Sequence, residues 1–398
     1  MGHTFALAVE GVTTVLAVAG IGYYLAAIVA ARVFLAARRT PVQAFAPGVS
    51  ILKSLKGIDP GMLDAFRSHC RQSYAGEFEM LFGVSSLDEP AAEAVLRLQR
   101  EFPERPIQLI ECPLRLGTNG KVSTLAQMLP KARHEYLLIN DSDIAVGPRY
   151  LERVMGQFAQ AASRAKAPSG RQTHVGLVTA LYRGRAHGTL GSLLEALGIA
   201  TDFVPAVLLA RLLEGGLSYG LGSTLAVRRE VLKEIGGFEG LVDHLADDYE
   251  LGTRVTKAGY RVALSGEVVE TGIPAYAWGG FVDHQLRWLR TVRDARPGGY
   301  VGLVFTHGLA WAMLNLVASG LSPLSLWILA MSFFLRLTLA MMAGAEVLGD
   351  HQVLPNLWLL PLRDVVAMGL WAAGFAGDTI VWRGERFHVK DGVLRRAG

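Results

Sequence analysis

The chain has 398 residues, 51% of them hydrophobic and 19% charged, so its composition excludes a disordered tail or a solvated repeat array. Its 39 basic and 35 acidic residues leave a net charge of +4, too small an excess to indicate nucleic acid as the main partner. A mean hydropathy of +0.31 favours a membrane bundle with one soluble domain over two or three soluble domains. The two cysteines, Cys70 and Cys112, indicate neither a disulfide framework nor a zinc site.

An uncharged stretch near the N-terminus predicts a membrane helix. Residues 11–31 are 21 consecutive residues without a charge, about 31 Å of helix, which matches the hydrocarbon core of a bilayer. A signal peptide is the alternative, but no Lys or Arg precedes the run, and the run is longer than a signal peptide needs. Because Arg32, Arg38 and Arg39 follow it, the positive-inside rule predicts that the chain after Arg39 is cytoplasmic.

The C-terminal third predicts a membrane hairpin with spans near 300–320 and 324–345, interrupted at Ser322 and Pro323. Arg336 lies within the second span and must face protein, water or the interface. Residues 353–381 remain ambiguous, because only 13 uncharged residues separate Asp364 from Asp378. The predicted organisation is a membrane helix (5–36), a soluble domain (47–280), an interfacial helix (281–298), a hairpin (299–346), a transmembrane or re-entrant segment (353–382) and a basic cytoplasmic tail (383–398).

The soluble middle predicts an α/β fold with a parallel sheet covered by helices on both faces. Short apolar runs begin at Val49, Glu77, Pro106, Glu135 and His174, and helical stretches separate them. Ligands bind at the carboxyl ends of the strands in such sheets, so the residues after each run are the candidates for chemistry.

Two acidic pairs stand out in this domain. Asp141 and Asp143 follow the fourth run in a D-x-D arrangement, which suits Mg²⁺ or Mn²⁺ and a diphosphate, although a solvated loop is the alternative. Asp247 and Asp248 precede a predicted helix that starts near Tyr249, either as acids that complement its dipole or with one of them as a general base.

Basic residues suggest phosphate contacts. The segment from Leu116 resembles a phosphate-binding loop, but Arg115 and Val122 stand at two required positions, which argues against a nucleoside triphosphatase. Lys121 and Lys53 remain candidates for a phosphate contact, with a surface lysine as the alternative. Arg287, Arg290, Arg293 and Arg296 recur at steps of three, which predicts a helix that meets anionic headgroups while Phe281, Leu286 and Leu289 face lipid. The sharper alternative is that Arg287 reaches a diphosphate and Trp288 lines an acceptor pocket.

Together these segments resemble the ceramide glucosyltransferase family, which are inverting membrane glycosyltransferases with the GT-A fold. The segments are VSILKSLKGIDP, DSDI, the GGF before ADDYE, and R-W ahead of the membrane hairpin. The C-terminal segments HQLRWLRTVRDARPGGY and WRGERFHVKDG resemble the bacterial hopanoid-associated members most. The resemblance implies transfer of a sugar from a UDP donor to a membrane lipid alcohol, at the bacterial inner membrane, with a divalent metal.

The resemblance also implies residue roles. Asp141 and Asp143 match the metal and diphosphate motif, and Asp248 matches the catalytic base. Arg287 and Trp288 match the R-W of the family's Q/R-x-x-R-W motif.

Two positions depart from the family pattern. Ser86 stands at the family's first aspartate, with Asp88 as the nearest substitute for nucleoside recognition. His284 stands at the first position of the R-W motif with Gln285 beside it, and either residue could make the family's contact.

The sequence therefore predicts a metal-dependent transferase that moves a sugar from UDP-N-acetylglucosamine to bacteriohopanetetrol. Asp248 would be the base, Lys53, Asp88, Lys121, Asp141 and Arg287 would bind the donor, and His284, Gln285 and Trp288 would bind the acceptor. A ceramide glucosyltransferase that uses UDP-glucose is the alternative within the same chemistry. A non-catalytic membrane scaffold or transport protein is the alternative from another class.

Overall fold

The computed structural model describes residues 2–41, 43–159, 174–382, 385–390 and 392–396 of the protein. The first element is α1 (Gly2–Arg38), a single helix of 37 residues. It contains no proline, and its charged residues are limited to Glu10, Arg32 and Arg38, so nothing interrupts the helix across the predicted span.

Strands and helices alternate after α1, as predicted. The strands are β1 (Val49–Ser54), β2 (Phe78–Val84), β3 (Ile107–Glu111), β4 (Tyr136–Ile139), β5 (Val175–Arg185), β6 (Leu225–Arg228) and β7 (Arg261–Gly272). The helices between them are α2 (Met62–Cys70), α3 (Pro90–Glu101), α4 (Gly120–Met128), α5 (Tyr150–Ala159), α6 (Leu190–Gly198), α7 (Val204–Leu213), α8 (Arg229–Glu234) and α9 (Asp247–Lys257). The remaining elements are α10 (Trp278–Ala295), α11 (Pro297–Gly302), α12 (Gly308–Ala318), α13 (Pro323–Ala340), α14 (Leu360–Ala373), β8 (Thr379–Trp382), β9 (Glu385–Lys390) and β10 (Val393–Arg396).

Seven strands of the described chain form one sheet in the order β3-β2-β1-β4-β6-β5-β7. β1 pairs in parallel with β2 and β4, and β5 pairs in parallel with β7. The prediction of a parallel sheet is wrong for β6, which runs antiparallel to both β4 and β5. β6 is not among the predicted apolar runs, and, because an antiparallel strand needs no helical crossover, the alternation of strands and helices does not predict it either. The mixed sheet keeps the carboxyl ends of β1 and β4 at one edge.

Helices of the membrane part match most of the predicted spans. Among the described residues, three helical stretches are long and apolar enough to cross a membrane: Thr4–Arg38, Leu190–Leu213 and Pro323–Val347. The predicted span near 300–320 is instead the bent pair Pro297–Thr306 and Gly308–Ala318, with a 56° break. Packing of α1 against α12 is close, because a Cβ on Gly20 would lie 2.2 Å from Cα of Gly308.

Leu190–Leu213 is the apolar stretch that sequence reasoning did not single out. It is a helical run of 24 residues in which a π-helical turn, Ile199–Phe203, joins α6 to α7. Two-thirds of the most apolar part of this stretch is buried inside the protein, so much of its hydrophobic surface faces protein. The stretch therefore connects the seven-stranded sheet, through β5, to the membrane helix α1.

A buried ion-pair cluster joins this stretch to α13 and α14. The guanidinium of Arg336 lies 2.7 Å from Oδ1 of Asp364 and 2.5 Å from Oδ1 of Asp202. Arg363 lies 3.0 Å from Oδ2 of Asp202. Arg336 was expected to face protein, water or the interface, and the structure shows that it faces protein, since its side chain is 2% exposed.

The C-terminal residues fold against the soluble domain. β8, β9 and β10 form an antiparallel sheet, so part of the segment predicted as a basic tail is β-structure. Leu245 packs with Ile380, Phe387 and Leu394. This small sheet therefore covers the loop that precedes α9, whereas Arg383 of the predicted tail lies outside the described residues.

The arginines of α10 differ from the predicted headgroup contacts. Arg290 and Arg293 donate to main-chain carbonyls just after α14, those of Gly374, Ala376, Gly377 and Thr379. Positive charge is favourable at the C-terminus of a helix, which explains this arrangement. Arg296 pairs with Glu214 at 2.5 Å. The prediction that Phe281 faces lipid is wrong, because it is fully buried against Leu194 and Leu370.

Candidate active site

The carboxyl ends of β1 and β4 bring the first acidic pair to one edge of the sheet. Lys53, in β1, is fully buried and donates to the main-chain oxygen of Asp141 at 3.0 Å. Burial lowers the pKa of Lys53 to about 7, while the charges of Asp143 and Asp141 act in the opposite direction. Lys53 therefore stabilises the D-x-D loop from beneath rather than facing solvent.

Lys121 connects the first acidic pair to the second. It lies in the first turn of α4, whose N-terminus is capped by the side chain of Asn119. Its ammonium lies 2.7 Å from Oδ1 of Asp141 and 3.5 Å from Oδ2 of Asp247. Coulombic attraction to Asp141 and Asp247 outweighs burial and raises the pKa of Lys121, so this lysine stays charged within the acidic cluster.

Asp143 lies deeper in the loop than Asp141. The hydroxyl of Thr271 and the N–H of Gly272 both donate to its Oδ2, the latter at 3.2 Å. Burial, and after it the charge of Asp141, raises the pKa of Asp143 to about 6. The side chain of Asp141, in contrast, is 43% exposed. The pair therefore offers one carboxylate anchored on β7 and one open to a ligand.

Asp248 belongs to the same cluster although it is more than 100 residues away in sequence. Both Asp247 and Asp248 lie in the first turn of α9, as predicted, and they belong to the acidic cluster as well. A Cβ on Gly222 would lie 3.1 Å from Oδ2 of Asp248 and 3.7 Å from Oδ2 of Asp141, so both carboxylates face this glycine. Burial, and after it the charge of Asp247, raises the pKa of Asp248 to about 6.

The donor set of this cluster suits a hard divalent cation. The described residues contain no group of three or more His, Cys, Asp or Glu side chains arranged to hold a metal. Mg²⁺ and Mn²⁺ nevertheless bind through one or two carboxylates when substrate phosphates and water complete the shell. Asp141 and Asp143 supply two such carboxylates, close enough for the charge of one to raise the pKa of the other.

Residues of α10 line a neighbouring region. Nδ1 of His284 lies 2.9 Å from Oε2 of Glu195, and Nε2 of Gln285 donates to the same oxygen at 3.2 Å. Gln285 is buried, whereas the side chain of His284 is 20% exposed and lies near the ring of Trp288. Of the two candidates at the motif's first position, His284 is therefore the accessible one.

Arg287 and Asp88 are the remaining predicted donor contacts. Arg287 lies on α10, one residue before Trp288. Burial, and after it the charge of Glu195, raises the pKa of Tyr276, and the charge of Arg287 opposes this rise. Asp88 lies on the exposed loop after β2, where its N–H bonds the hydroxyl of Ser86 at 3.2 Å. No described hydrogen bond or ion pair joins Asp88 to the acidic cluster, so its predicted role in nucleoside recognition stays a prediction.

Sequence reasoning missed two acids near the site. Asp59, in the loop after β1, accepts a hydrogen bond from the hydroxyl of Ser142 between the two aspartates of the D-x-D loop. Its position after an apolar strand was the available signal. Glu195 is the single acid within the apolar segment LGSLLEALG, and an isolated acid in such a segment is a signal in itself.

The mixed sheet, the carboxylates at its edge and the apolar helices define a membrane-associated glycosyltransferase with a GT-A fold. The chain belongs to glycosyl transferase family 21, whose sequence pattern matches residues 12–394. The predicted family and fold are therefore confirmed, whereas the predicted closeness to hopanoid-associated members stays a prediction.

Three similar proteins illustrate this relationship. Ceramide glucosyltransferase 3 of Caenorhabditis elegans is 24% identical over 86% of this chain and 73% of its own length. Ceramide glucosyltransferase 1 of the same organism is 23% identical over 87% of this chain and 72% of its own length. The mannosyltransferase PcManGT from Pyrobaculum calidifontis, solved with GDP-Man and Mn²⁺, has a TM-score of 0.54 and 19% identity over 92% of this chain and 97% of that chain. This structural likeness supports the fold.

Proposed function

We propose that the protein transfers a sugar from a UDP-sugar to a hydroxyl group of a membrane lipid, by a metal-dependent single displacement that inverts the anomeric carbon. The observation that carries the proposal is the meeting of Asp141, Asp143 and Asp248 at one sheet edge. Gly272 donates to Asp143, and the next residue, Ile273, packs with Trp288 of α10. His284 of α10 in turn contacts Glu195, which lies in the apolar stretch Leu190–Leu213, so we expect a lipid hydroxyl to reach the base without leaving the bilayer.

In this mechanism Asp248 removes the proton of the acceptor hydroxyl as that oxygen attacks the anomeric carbon. General base catalysis contributes on the order of 10²- to 10⁴-fold. The raised pKa of Asp248, about 6, suits a group that accepts a proton near neutral pH. Lys121 and Arg287 would stabilise the diphosphate as the bond to the sugar breaks. A divalent cation on Asp141 and Asp143 would neutralise the charge of the same leaving group.

Two donor and acceptor pairs fit this chemistry. Resemblance of the C-terminal segments favours UDP-N-acetylglucosamine with bacteriohopanetetrol. The names of the relatives favour UDP-glucose with ceramide. In both cases the proposed acceptor contacts are His284, Gln285 and Trp288. The proposed donor contacts are Asp88 and Lys121, with Lys53 supporting the D-x-D loop from beneath.

A product assay by mass spectrometry separates these pairs. Purified protein in detergent is given Mg²⁺ or Mn²⁺, each UDP-sugar in turn, and bacteriohopanetetrol or ceramide. A hexosamine-hopanoid product supports the first pair, and glucosylceramide supports the second. Absence of transfer with every pair contradicts the proposal.

We also propose that the soluble domain faces the cytoplasm from the bacterial inner membrane. The basis is the positive charge that follows the apolar part of α1, at Arg32, Arg38 and Arg39. Because Cys70 and Cys112 are both buried, a cysteine introduced at an exposed residue of the soluble domain is a clean reporter. We expect a membrane-impermeant maleimide to label it only after the cells are opened, and labelling of intact cells contradicts the orientation.

A further inference from the structure

A short loop, residues 243–245, leads directly into the acidic cluster. Only Ala246 separates it from α9, whose first turn carries Asp247 and Asp248. Because Asp248 lies so near the start of the helix, its position depends on how this loop is held. Two other parts of the chain hold it.

The C-terminal sheet, formed by β8, β9 and β10, pairs with this loop through main-chain hydrogen bonds. The N–H of Leu394 donates to the carbonyl of Asp243 at 2.8 Å, and the N–H of Leu245 donates to the carbonyl of Gly392 at 3.1 Å. An antiparallel bridge lies between the two bonds. The loop therefore extends the sheet as a short strand beside β10, whose other neighbour is β9.

Apolar side chains strengthen this pairing. Leu245 packs with Ile380, Phe387 and Leu394, which come from the three strands of the C-terminal sheet, and all four side chains are buried. They form a cluster of their own, apart from the two larger clusters that include residues of the seven-stranded sheet. Loosening this contact should therefore release the loop without opening the main core.

The C-terminal sheet is also attached to α10. Nη1 of Arg290 donates to the main-chain oxygen of Thr379 at 2.6 Å, and the N–H of Gly392 donates to the carboxylate of Asp294. Since α10 carries the proposed acceptor contacts, the C-terminal sheet links those contacts to the loop that precedes the base.

Asn119 ties the same loop to the donor side of the site. Its Nδ2 donates to the main-chain oxygen of His244 at 2.8 Å, while its Oδ1 caps α4, the helix that carries Lys121. Residues 243–245 are thus held by α4 and by the C-terminal sheet together.

We propose that the C-terminal sheet is a positioning element for the catalytic base, which holds residues 243–245 so that Asp248 meets the acceptor hydroxyl. Leu394 acts through the loop rather than on the substrate, so it is a positioning residue. The inference rests on the proposed lipid glycosyltransferase function and adds β8 to β10 to the elements which that function requires.

The variant Leu394→Ala tests this role, because it shortens the side chain that packs on Leu245 and keeps the main chain of β10. We expect kcat to fall about 10- to 100-fold, since misplacing a reacting group by about 1 Å costs on the order of 10²-fold. The KM for the UDP-sugar stays unchanged. His388→Ala is the control, because His388 lies on β9 with its side chain 48% exposed.

A chain that ends at Gly377 is the second variant. It lacks the whole C-terminal sheet but keeps the carbonyls that Arg293 bonds after α14. We expect its kcat to be lowered at least as far as that of Leu394→Ala.

Combination with Asp248→Asn separates positioning of the base from a general loss of structure. If the sheet acts through Asp248, Leu394→Ala should hardly lower the residual kcat of Asp248→Asn, because residues that act as a unit have non-additive effects. Hydrogen exchange adds a readout that needs no transfer. The amides of residues 243–248 should exchange faster in Leu394→Ala than in the unmodified protein or in His388→Ala.

The outcomes distinguish the role of the sheet from the proposed function. An unchanged kcat in both Leu394→Ala and the shortened chain overturns the positioning role and leaves the transferase function standing. An equal fold-loss with and without Asp248, or unaltered exchange of residues 243–248 in Leu394→Ala, also overturns it. Absence of lipid transfer by the unmodified enzyme overturns the proposed function and, with it, the role of the sheet.

Discussion

The ammonium of Lys121 lies 2.7 Å from Oδ1 of Asp141. The same lysine approaches Asp247, and its charge opposes the rise in the pKa of Asp248 that burial and Asp247 cause, so a single positive charge stabilises three carboxylates from two parts of the chain. Like charges gathered at one sheet edge would otherwise disfavour ionisation of the proposed base. Lys121 therefore both organises the donor side and keeps Asp248 ready to accept a proton.

Replacing this lysine should change the pH dependence of transfer. In Lys121→Met the pKa of Asp248 rises, because the positive charge that lowers it is gone. A base works only when ionised, so we expect the acid limb of kcat/KM against pH to move to higher pH. Lys233→Met, at an exposed position on α8, is the control with an unchanged profile. An acid limb that stays in place in Lys121→Met argues against coupling between the two groups.

Asp248 itself should set that acid limb. Its pKa is raised to about 6, so it is protonated and inactive below that pH, and transfer should increase as the pH rises through about 6. Asp248→Asn should lower kcat on the order of 10²- to 10⁴-fold while UDP binding, measured by calorimetry, is unchanged. The exposed Asp64→Asn is the matched control. Substantial transfer by Asp248→Asn removes the assignment of the base.

The metal site should depend on Asp143. We expect Asp143→Ala to remove the part of UDP affinity that requires Mg²⁺ or Mn²⁺, measured by calorimetry with and without a chelator. Because protons compete with the cation and the pKa of Asp143 is about 6, metal-dependent affinity should also fall as the pH drops through about 6. Equal UDP affinity in the variant and the unmodified protein, with metal present, contradicts the site.

Local signals were enough to predict part of this arrangement from sequence. Apolar runs predicted β1 to β5, and Asp141 follows one of them directly, so the position of the D-x-D loop at a strand end was also predicted. The contact between Asp248 and this loop could not be predicted, because it depends on tertiary packing: both carboxylates lie beside Gly222, and Lys121 contacts Asp141 and Asp247. β6 was missed because it pairs antiparallel, outside the alternation of strands and helices.

The arginines of α10 show a second reason for failure. Their spacing of three was typical of a helix at a membrane surface, yet Arg290 and Arg293 bond carbonyls more than 80 residues further along the chain. Glu195 was missed for the same reason, since its partners on α10 are about 90 residues away. The spacing of residues in the sequence predicts a helix and its faces, whereas the partner of a charged side chain depends on tertiary packing.

Two glycines of α1 should respond differently to the same substitution. Gly20 packs against the backbone of Gly308, where an added Cβ would lie 2.2 Å from Cα, whereas nothing lies within 4 Å of a Cβ on Gly22. Gly20→Leu should therefore separate α1 from α12 and lower the melting temperature in detergent, while Gly22→Leu should leave it close to the original value. Similar melting temperatures for the two variants contradict this helix contact.

Arg336 and Asp364 should contribute to the stability of the protein mainly through their contact with each other. Removing only the arginine in Arg336→Leu leaves the buried carboxylate of Asp364 without its partner, whereas Asp202 keeps Arg363, and breaking such a buried pair costs about 3–5 kcal/mol. The double variant Arg336→Leu/Asp364→Leu removes that carboxylate as well, so it should recover much of the loss of thermal stability measured in detergent. Arg39→Leu, at an exposed position just after α1, is the control. If the double variant is no more stable than Arg336→Leu, the charge of Asp364 does not explain the loss, and the contacts of Arg336 with Thr201 and Asp202 become the explanation.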